Sequence, residues 1–96
     1  MIITISFDAT SGNRDALVAK LQSILSDTRA FDGCNAITLA ESTDRPGSLM
    51  LIEDWESAEK YDAYKAWRQE SGTSVLRGDL VDHSSLSSNS YVELTD

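Results

Sequence analysis

The chain has 96 residues, of which 41% are hydrophobic and 25% charged, and its formal net charge is −8. This length suits one domain, and the composition is typical of a folded globular protein. The strong negative charge argues against binding to nucleic acid or to an anionic membrane surface, because both require clustered Lys and Arg.

The sequence offers few signals for a membrane, an export route or a metal. No apolar stretch approaches the roughly 20 residues that a membrane-spanning helix needs. The N-terminal residues MIITISFD lack the basic and apolar regions of a signal peptide, so we expect a cytoplasmic protein. Cys34 is the single cysteine and His83 the single histidine, so we expect neither a disulfide nor a protein-held metal.

The first third of the chain predicts a strand followed by a helix. Residues 2–8 alternate apolar and polar side chains, which is the pattern of a strand with one buried face. Residues 13–30 carry apolar side chains at helical spacing. Gly33 follows at a position typical of the left-handed residue that ends a helix.

A strand hairpin is predicted next, over residues 34–42 and 48–55. Pro46 and Gly47 are typical of the central positions of a type II turn, which places the two strands antiparallel. The second of these strands carries apolar side chains on both faces, so we expect both faces to be covered.

The second half of the chain predicts another helix and a final strand. Residues 57–71 read as a helix that Gly72 closes. Residues 74–82 predict a short third helix, and the Ser-rich residues 83–90 predict a flexible loop. Residues 91–95 then read as the last strand.

The predicted order βαββαβ is that of the ferredoxin-like α+β fold, a single domain over 1–96 with an antiparallel sheet. Two helices cover one face of such a sheet. Nothing else in so short a chain can cover the second face of the third strand. We therefore expect a homodimer in which the partner's sheet supplies that cover.

Three short motifs follow one another in order. Asp32-Gly33-Cys34 opens the second strand, Glu53-Asp54-Trp55 ends the third, and residues 64–72 read YKAWRQESG. In this order they resemble the antibiotic biosynthesis monooxygenase family, over about residues 1–95. The resemblance implies a dimeric α/β barrel that oxidises a quinol- or anthrone-type aromatic with O₂, without a metal or flavin cofactor.

Two positions depart from patterns seen in that family. Many members have His at the position of Tyr64 in this chain. The haem-degrading branch has Asn where this chain has Leu51, and it carries a His on the second helix. The sequence therefore argues against haem degradation.

Aromatic residues on the second helix are the first candidates for a site. Tyr61, Tyr64 and Trp67 recur at three-residue spacing, so they can form a stripe on one helix face. The two phenols are candidate catalytic proton donors, and Trp67 is a candidate substrate contact. The alternative is core packing, which is the commoner role of such a stripe.

The third strand supplies the candidate base. Glu53 shares a predicted face with Leu51 and Trp55, and apolar surroundings raise a carboxylate's pKa. Leu51, Trp55 and Arg68 are candidate substrate contacts. The alternatives are an ion pair of Glu53 with Arg68 or Arg77, and a core or dimer-edge role for Trp55.

The remaining reactive side chains predict no second site. We expect His83 on the surface and Cys34 as a small buried hydrophobic residue. Two alternatives to a monooxygenase stay open at this point. One is a non-catalytic binding module for small molecules, and the other is a structural dimer module whose barrel is filled, because this architecture supports unrelated functions.

Overall fold

The computed structural model describes residues 1–95, which form a four-stranded antiparallel sheet with two helices on one face. The elements are β1 (Ile2–Ala9), α1 (Arg14–Ala30), β2 (Cys34–Glu41), β3 (Ser48–Trp55), α2 (Ala58–Ser71) and β4 (Val81–Tyr91). This order confirms the predicted ferredoxin-like α+β fold. In the part of the chain described, neither helix is long and apolar enough to cross a membrane.

The strands lie in the order β2-β3-β1-β4, so β1 and β3 occupy the centre of the sheet. In the register, Leu51 of β3 lies opposite Ile5 of β1 and Leu39 of β2. Because side chains alternate along a strand, this register turns one apolar set towards the helices. The buried residues on this face are the apolar Ile3, Phe7, Ile37, Leu49, Leu51 and Trp55, together with the acidic Glu53.

Each helix presents one stripe to this face. In α1 the buried residues are Leu17, Leu21, Leu25 and Thr28, which follow the predicted helical spacing. In α2, Ser57 caps the first turn by accepting a hydrogen bond from the backbone N–H of Lys60. Gly72 ends α2 in the left-handed conformation, with φ of 68°.

Gly33 differs from its predicted role. The cap of α1 is Phe31, in an extended conformation, and Gly33 lies two residues further on, in the turn that enters β2. Its φ is +94°, and a Cβ built there would collide with the side chain of Lys60 in α2. Gly33 is therefore required both by its backbone conformation and by the close approach of α2.

The structure of residues 74–95 differs from three predictions. A short 3-10 turn, Val75–Arg77, replaces the helix predicted over residues 74–82. The segment 83–90 is not a loop but the middle of β4, which pairs with β1, and residues 92–95 lie beyond the strand. β4 is an edge strand with mostly exposed side chains, so burial imposes no apolar alternation on its sequence.

The second face of the sheet has no cover within residues 1–95. Met50 and Ile52 of β3 face this side, and each is 38% exposed. Their register partners on β1 are Ser6 and Thr4. The two-sided apolar pattern of β3 is thus present, with Leu49 buried against the helices and Met50 open on the far side.

Candidate functional site

A cavity of about 710 Å³ lies between the sheet and the two helices. Its apolar lining includes Ile5, Leu21, Ile24, Leu25, Ile37 and Leu51, and its polar lining includes Thr28, Glu53, Tyr61, Tyr64, Arg68 and Arg77. Pockets that bind small molecules commonly have volumes of roughly 300–1,000 Å³ and mostly apolar walls with a few polar groups. The volume and the mostly apolar lining of this cavity fall within those ranges.

Glu53 is the buried acid of the cavity, with 2% of its surface exposed. The alternation of β3 turns it to the helix side, between Leu51 and Trp55. The indole Nε1–H of Trp55 donates a 2.9 Å hydrogen bond to Oε1 of Glu53. Burial raises the pKa of Glu53, and the Trp55 hydrogen bond and the charge of Arg68 oppose that rise in part.

The second carboxylate oxygen of Glu53 is available to a bound molecule. Oε1 is held by Trp55, whereas Oε2 has no hydrogen-bond partner among residues 1–95. No fully buried side-chain oxygen or nitrogen in that range lacks a partner, so Oε2 is not sealed off. Since Glu53 lines the cavity, Oε2 can accept a proton or a hydrogen bond there.

Tyr61 brings a protonated phenol to the same cavity. Its side chain is buried, and burial together with the charge of Glu53 raises the pKa of Tyr61 to about 12. The phenol therefore stays protonated near neutral pH and can donate a hydrogen bond. Its hydroxyl has no protein partner within the described chain, and Lys65 Nζ lies 4.7 Å from the centre of its ring.

Tyr64 and Arg68 form a hydrogen-bonded network across the two helices. Arg68 donates from Nε to Tyr64 Oη at 2.9 Å and from Nη2 to Thr28 Oγ1 at 2.8 Å. The hydroxyls of Tyr64 and Thr28 are themselves 2.8 Å apart. Arg68 also donates to the carbonyl of Ile24 and to Thr73 Oγ1, each at 3.1 Å. The network ties α2 to α1 at the cavity wall.

Within the described residues, Glu53 forms an ion pair with neither Arg68 nor Arg77, although the sequence offered both pairs as alternatives. Arg68 is 5% exposed, so it does not extend into solvent, and its hydrogen bonds go to neutral groups. Across residues 1–95, no salt bridge joins Glu53 to Arg68 or Arg77. The charge of Arg68 acts on Glu53 only through space.

The two tryptophans lie outside the cavity lining. Trp55 is fully buried, and its ring packs against those of Tyr64, Tyr61 and Phe31, with centroids 4.9, 5.6 and 6.2 Å away. Trp67 is 36% exposed, and its ring lies beneath the guanidinium of Arg68 and 5.5 Å from that of Phe31. Of the predicted substrate contacts, the structure brings Leu51 and Arg68 to the cavity and neither tryptophan.

The other reactive side chains lie apart from this constellation. His83 is exposed, as expected, with Nε2 2.9 Å from the carbonyl oxygen of Gly78. Cys34 is partly buried, and burial followed by the charge of Glu53 raises the pKa of its thiol. No group of three or more His, Cys, Asp or Glu side chains in the described part of the chain could hold a metal ion.

Thr28 is the site residue that sequence reasoning missed. It is 1% exposed and accepts from Arg68 at the wall of the cavity. Its position continues the apolar stripe of Leu21 and Leu25, and a hydroxyl in a buried stripe requires a partner. The polar Thr28 within this apolar stripe was therefore the sequence signal that could have identified it. It indicates a hydrogen-bonding group on the facing helix.

Comparison with known proteins places the chain in a family. The model of the family described as "Antibiotic biosynthesis monooxygenase" matches residues 1–72 of the chain. The chain belongs to the antibiotic biosynthesis monooxygenase family. The match spans β1 to the end of α2, which includes Glu53, Tyr61, Tyr64 and Arg68.

Solved structures share the fold along almost the whole chain. Rv0793 of Mycobacterium tuberculosis is 26% identical with a TM-score of 0.82, over 99% of this chain and 95% of that one. SO0527 of Shewanella oneidensis is also 26% identical, with a TM-score of 0.80 over 94% and 86%. A candidate antibiotic biosynthesis monooxygenase of Deinococcus radiodurans, 20% identical, shares the fold with a TM-score of 0.75 over 100% and 97%. No curated protein matches this chain.

Proposed function

We propose that this family member is a cofactor-independent monooxygenase that oxidises a small quinol- or anthrone-type aromatic with O₂. The observation that carries the proposal is the placement of Glu53. One of its oxygens is held by Trp55, the other has no partner in the described chain, and the side chain lines a cavity of ligand size. A buried carboxylate with a raised pKa is a stronger base than an exposed one, which is what removal of a phenolic proton requires.

Glu53 acts as the base in the first step of the proposed reaction. Its Oε2 accepts a proton from a ring hydroxyl or from the acidic methylene of an anthrone. The resulting carbanion or phenolate is electron-rich enough to reduce O₂ directly. In an anthrone, the methylene becomes a carbonyl and the second oxygen atom leaves as water, so O₂ accepts all four electrons and no other reductant is consumed.

The tyrosines act after proton removal. Tyr61, which stays protonated, donates a hydrogen bond to the oxygen on which negative charge develops. Tyr64 is already engaged with Thr28 and Arg68, so we assign it to positioning the guanidinium at the cavity wall. The apolar wall around Leu51 excludes water from the reactive anion.

We further propose that the chain works as a homodimer through the open face of its sheet. Met50 and Ile52 expose apolar surface at the centre of that face, on a strand whose other face is buried. Exposed apolar surface on a central strand is favourably covered by a second sheet. A second copy supplies one, and the contact is then symmetric.

Oxygen consumption by chelator-treated protein, measured with a panel of quinols and anthrones, tests the proposed reaction. We expect uptake that persists with chelator and one O₂ consumed per substrate oxidised. Absence of uptake across the panel, together with a thermal shift on ligand addition, would instead establish a non-catalytic binding module. Absence of both would favour the structural module.

A further inference from the structure

Two arginines of the cavity lack carboxylate partners in a chain that has twice as many acidic as basic residues. The chain has eight Lys and Arg against sixteen Asp and Glu. Ion pairs within residues 1–95 engage Arg14, Arg45, Lys60 and Lys65. Arg68 and Arg77, which line the cavity, form none there.

The burial of Arg68 makes its lack of a counter-ion significant. A guanidinium has five N–H donors, and the four accounted for here reach neutral oxygens of Tyr64, Thr28, Ile24 and Thr73. One N–H on Nη1 remains without a protein acceptor in the described chain. These bonds satisfy four of its five donors, and its charge, which acts on Glu53 only through space, has no hydrogen-bonded counter-ion among the described residues of this buried site, where an added anion is favourable.

Arg77 adds a second, more accessible guanidinium to the lining. It lies in the 3-10 turn Val75–Arg77, and its side chain is exposed. The acids of the lining do not neutralise the pair. Asp62 is engaged by Lys65 at 3.4 Å, and Glu53 forms no ion pair with either arginine. The unpaired charges of the lining therefore sum to a positive value in an otherwise acidic protein.

We propose that the aromatic substrate carries a permanent oxyanion, a carboxylate or a phosphate, and that Arg68 and Arg77 bind it. The planar guanidinium of Arg77, which has no protein partner in residues 1–95, can donate to two oxygens of either group, and Arg68 adds its charge and its remaining Nη1–H. This assignment rests on the proposed function for the aromatic body of the ligand. It adds a selection step, because the net charge of −8 disfavours the approach of an anion in general, whereas the two arginines favour it at this cavity.

The test compares the binding of three naphthalene probes by titration calorimetry: 1-naphthoate, 1-naphthyl phosphate and neutral 1-naphthamide. We expect at least one anion to bind about tenfold more tightly than the amide, the size expected for a charge-assisted hydrogen bond. The tighter of the two anions identifies the group. Equal dissociation constants for the amide and both anions would overturn the proposal.

Variants then locate the anion. Arg77→Gln and Arg68→Gln should each reduce the preference for the anion about tenfold towards unity, while Lys20→Gln, an exposed control on α1, should retain it. A preference unchanged in both arginine variants would overturn the assignment. If Arg68→Gln fails to fold, Arg68→Lys preserves the charge without the fork, and Arg77→Gln alone still decides the test.

Binding of the probes needs no oxygen chemistry, so the two proposals can fail separately. Anion preference without oxygen uptake by any quinol would support the anion site and contradict the monooxygenase. Oxygen uptake at equal rates with neutral and carboxylated quinols would support the monooxygenase and contradict the anion site.

Discussion

The indole N–H of Trp55 donates a 2.9 Å hydrogen bond to the carboxylate of Glu53, two residues before it on the same strand. Residues two apart on a strand share a face, so this bond needs only the extended backbone of β3. Trp55 is fully buried, whereas Glu53 reaches the cavity. Trp55 thus orients a carboxylate that a ligand in the cavity can contact, although Trp55 itself does not line the cavity.

Glu53→Gln should lower oxygen consumption by about a hundredfold or more, because an amide cannot accept the substrate proton. The variant should keep its fold, since the amide oxygen can still accept from Trp55. Glu56→Gln is the matched control, an exposed glutamate just after β3, and it should retain the full rate. A Glu53→Gln enzyme as fast as the unaltered protein would remove Glu53 from the mechanism.

The same substitution should change how stability depends on pH. Burial raises the pKa of Glu53 in the folded protein, so as pH rises the unfolded chain ionises at Glu53 first, near pH 4.5. Ionisation there favours unfolding, and the penalty grows until the pH passes the raised pKa. Glu53→Gln has no such penalty.

Urea unfolding at about pH 4 and about pH 7.5 measures this effect. The stability of Glu53→Gln minus that of the unaltered protein should increase with pH, and the other titrating groups cancel in that difference. A difference that decreases with pH would mean that the folded protein stabilises the carboxylate instead.

Tyr61→Phe and Tyr64→Phe should separate catalysis from structure. Tyr61 has no protein partner for its hydroxyl in the described chain, so its loss should reduce kcat and leave stability nearly unchanged. Loss of the Tyr64 hydroxyl leaves Arg68 Nε without an acceptor and removes one of the two hydrogen bonds of the Thr28 hydroxyl, so it should cost about 1–3 kcal/mol of stability. Thermal denaturation and oxygen uptake measured on both variants decide this, and unchanged turnover in both would make them packing residues.

Gly33→Ala should destabilise the fold more than Gly12→Ala does. Both glycines have positive φ, +94° and +78°, so each alanine adds backbone strain of about 1–2 kcal/mol. A Cβ at position 12 meets nothing within 4 Å, whereas at position 33 it collides with Lys60. Equal denaturant midpoints for the two variants would mean that α2 moves aside freely.

Met50→Asp should dissociate the proposed dimer. A charge at the centre of the open sheet face is costly to bury against a second apolar sheet. Met50→Leu, which conserves size and polarity, is the control. Light scattering after gel filtration should give twice the 10.5 kDa chain mass for the unaltered protein and the control, and the chain mass for Met50→Asp. An unaltered protein that elutes at the chain mass would exclude the dimer.

The elements that the sequence predicted well are those whose local signals agree with their burial. The turn at Pro46-Gly47 forms with Gly47 at φ of +87°, and Ser57 and Gly72 mark the ends of α2. Residues 83–90 of β4 were predicted as a loop because an edge strand that is mostly exposed carries no apolar alternation. Ser87, Ser88 and Ser90 pair with β1 through the backbone, which side-chain type does not reveal, and Ser85 accepts a hydrogen bond from the backbone N–H of Asp8 through its Oγ.

The sequence by itself determined the order of the elements and the buried face of each central element. It also placed Glu53 on the same face of β3 as Leu51 and Trp55. These features follow from periodicity and turn chemistry, which are local properties. The tertiary structure alone decided which side chains reach the cavity. It buried Trp55 beneath three aromatic rings and joined Arg68 to Thr28 across 40 positions of sequence. Such contacts depend on how two helices pack over one sheet, a relation between distant segments that no local pattern encodes.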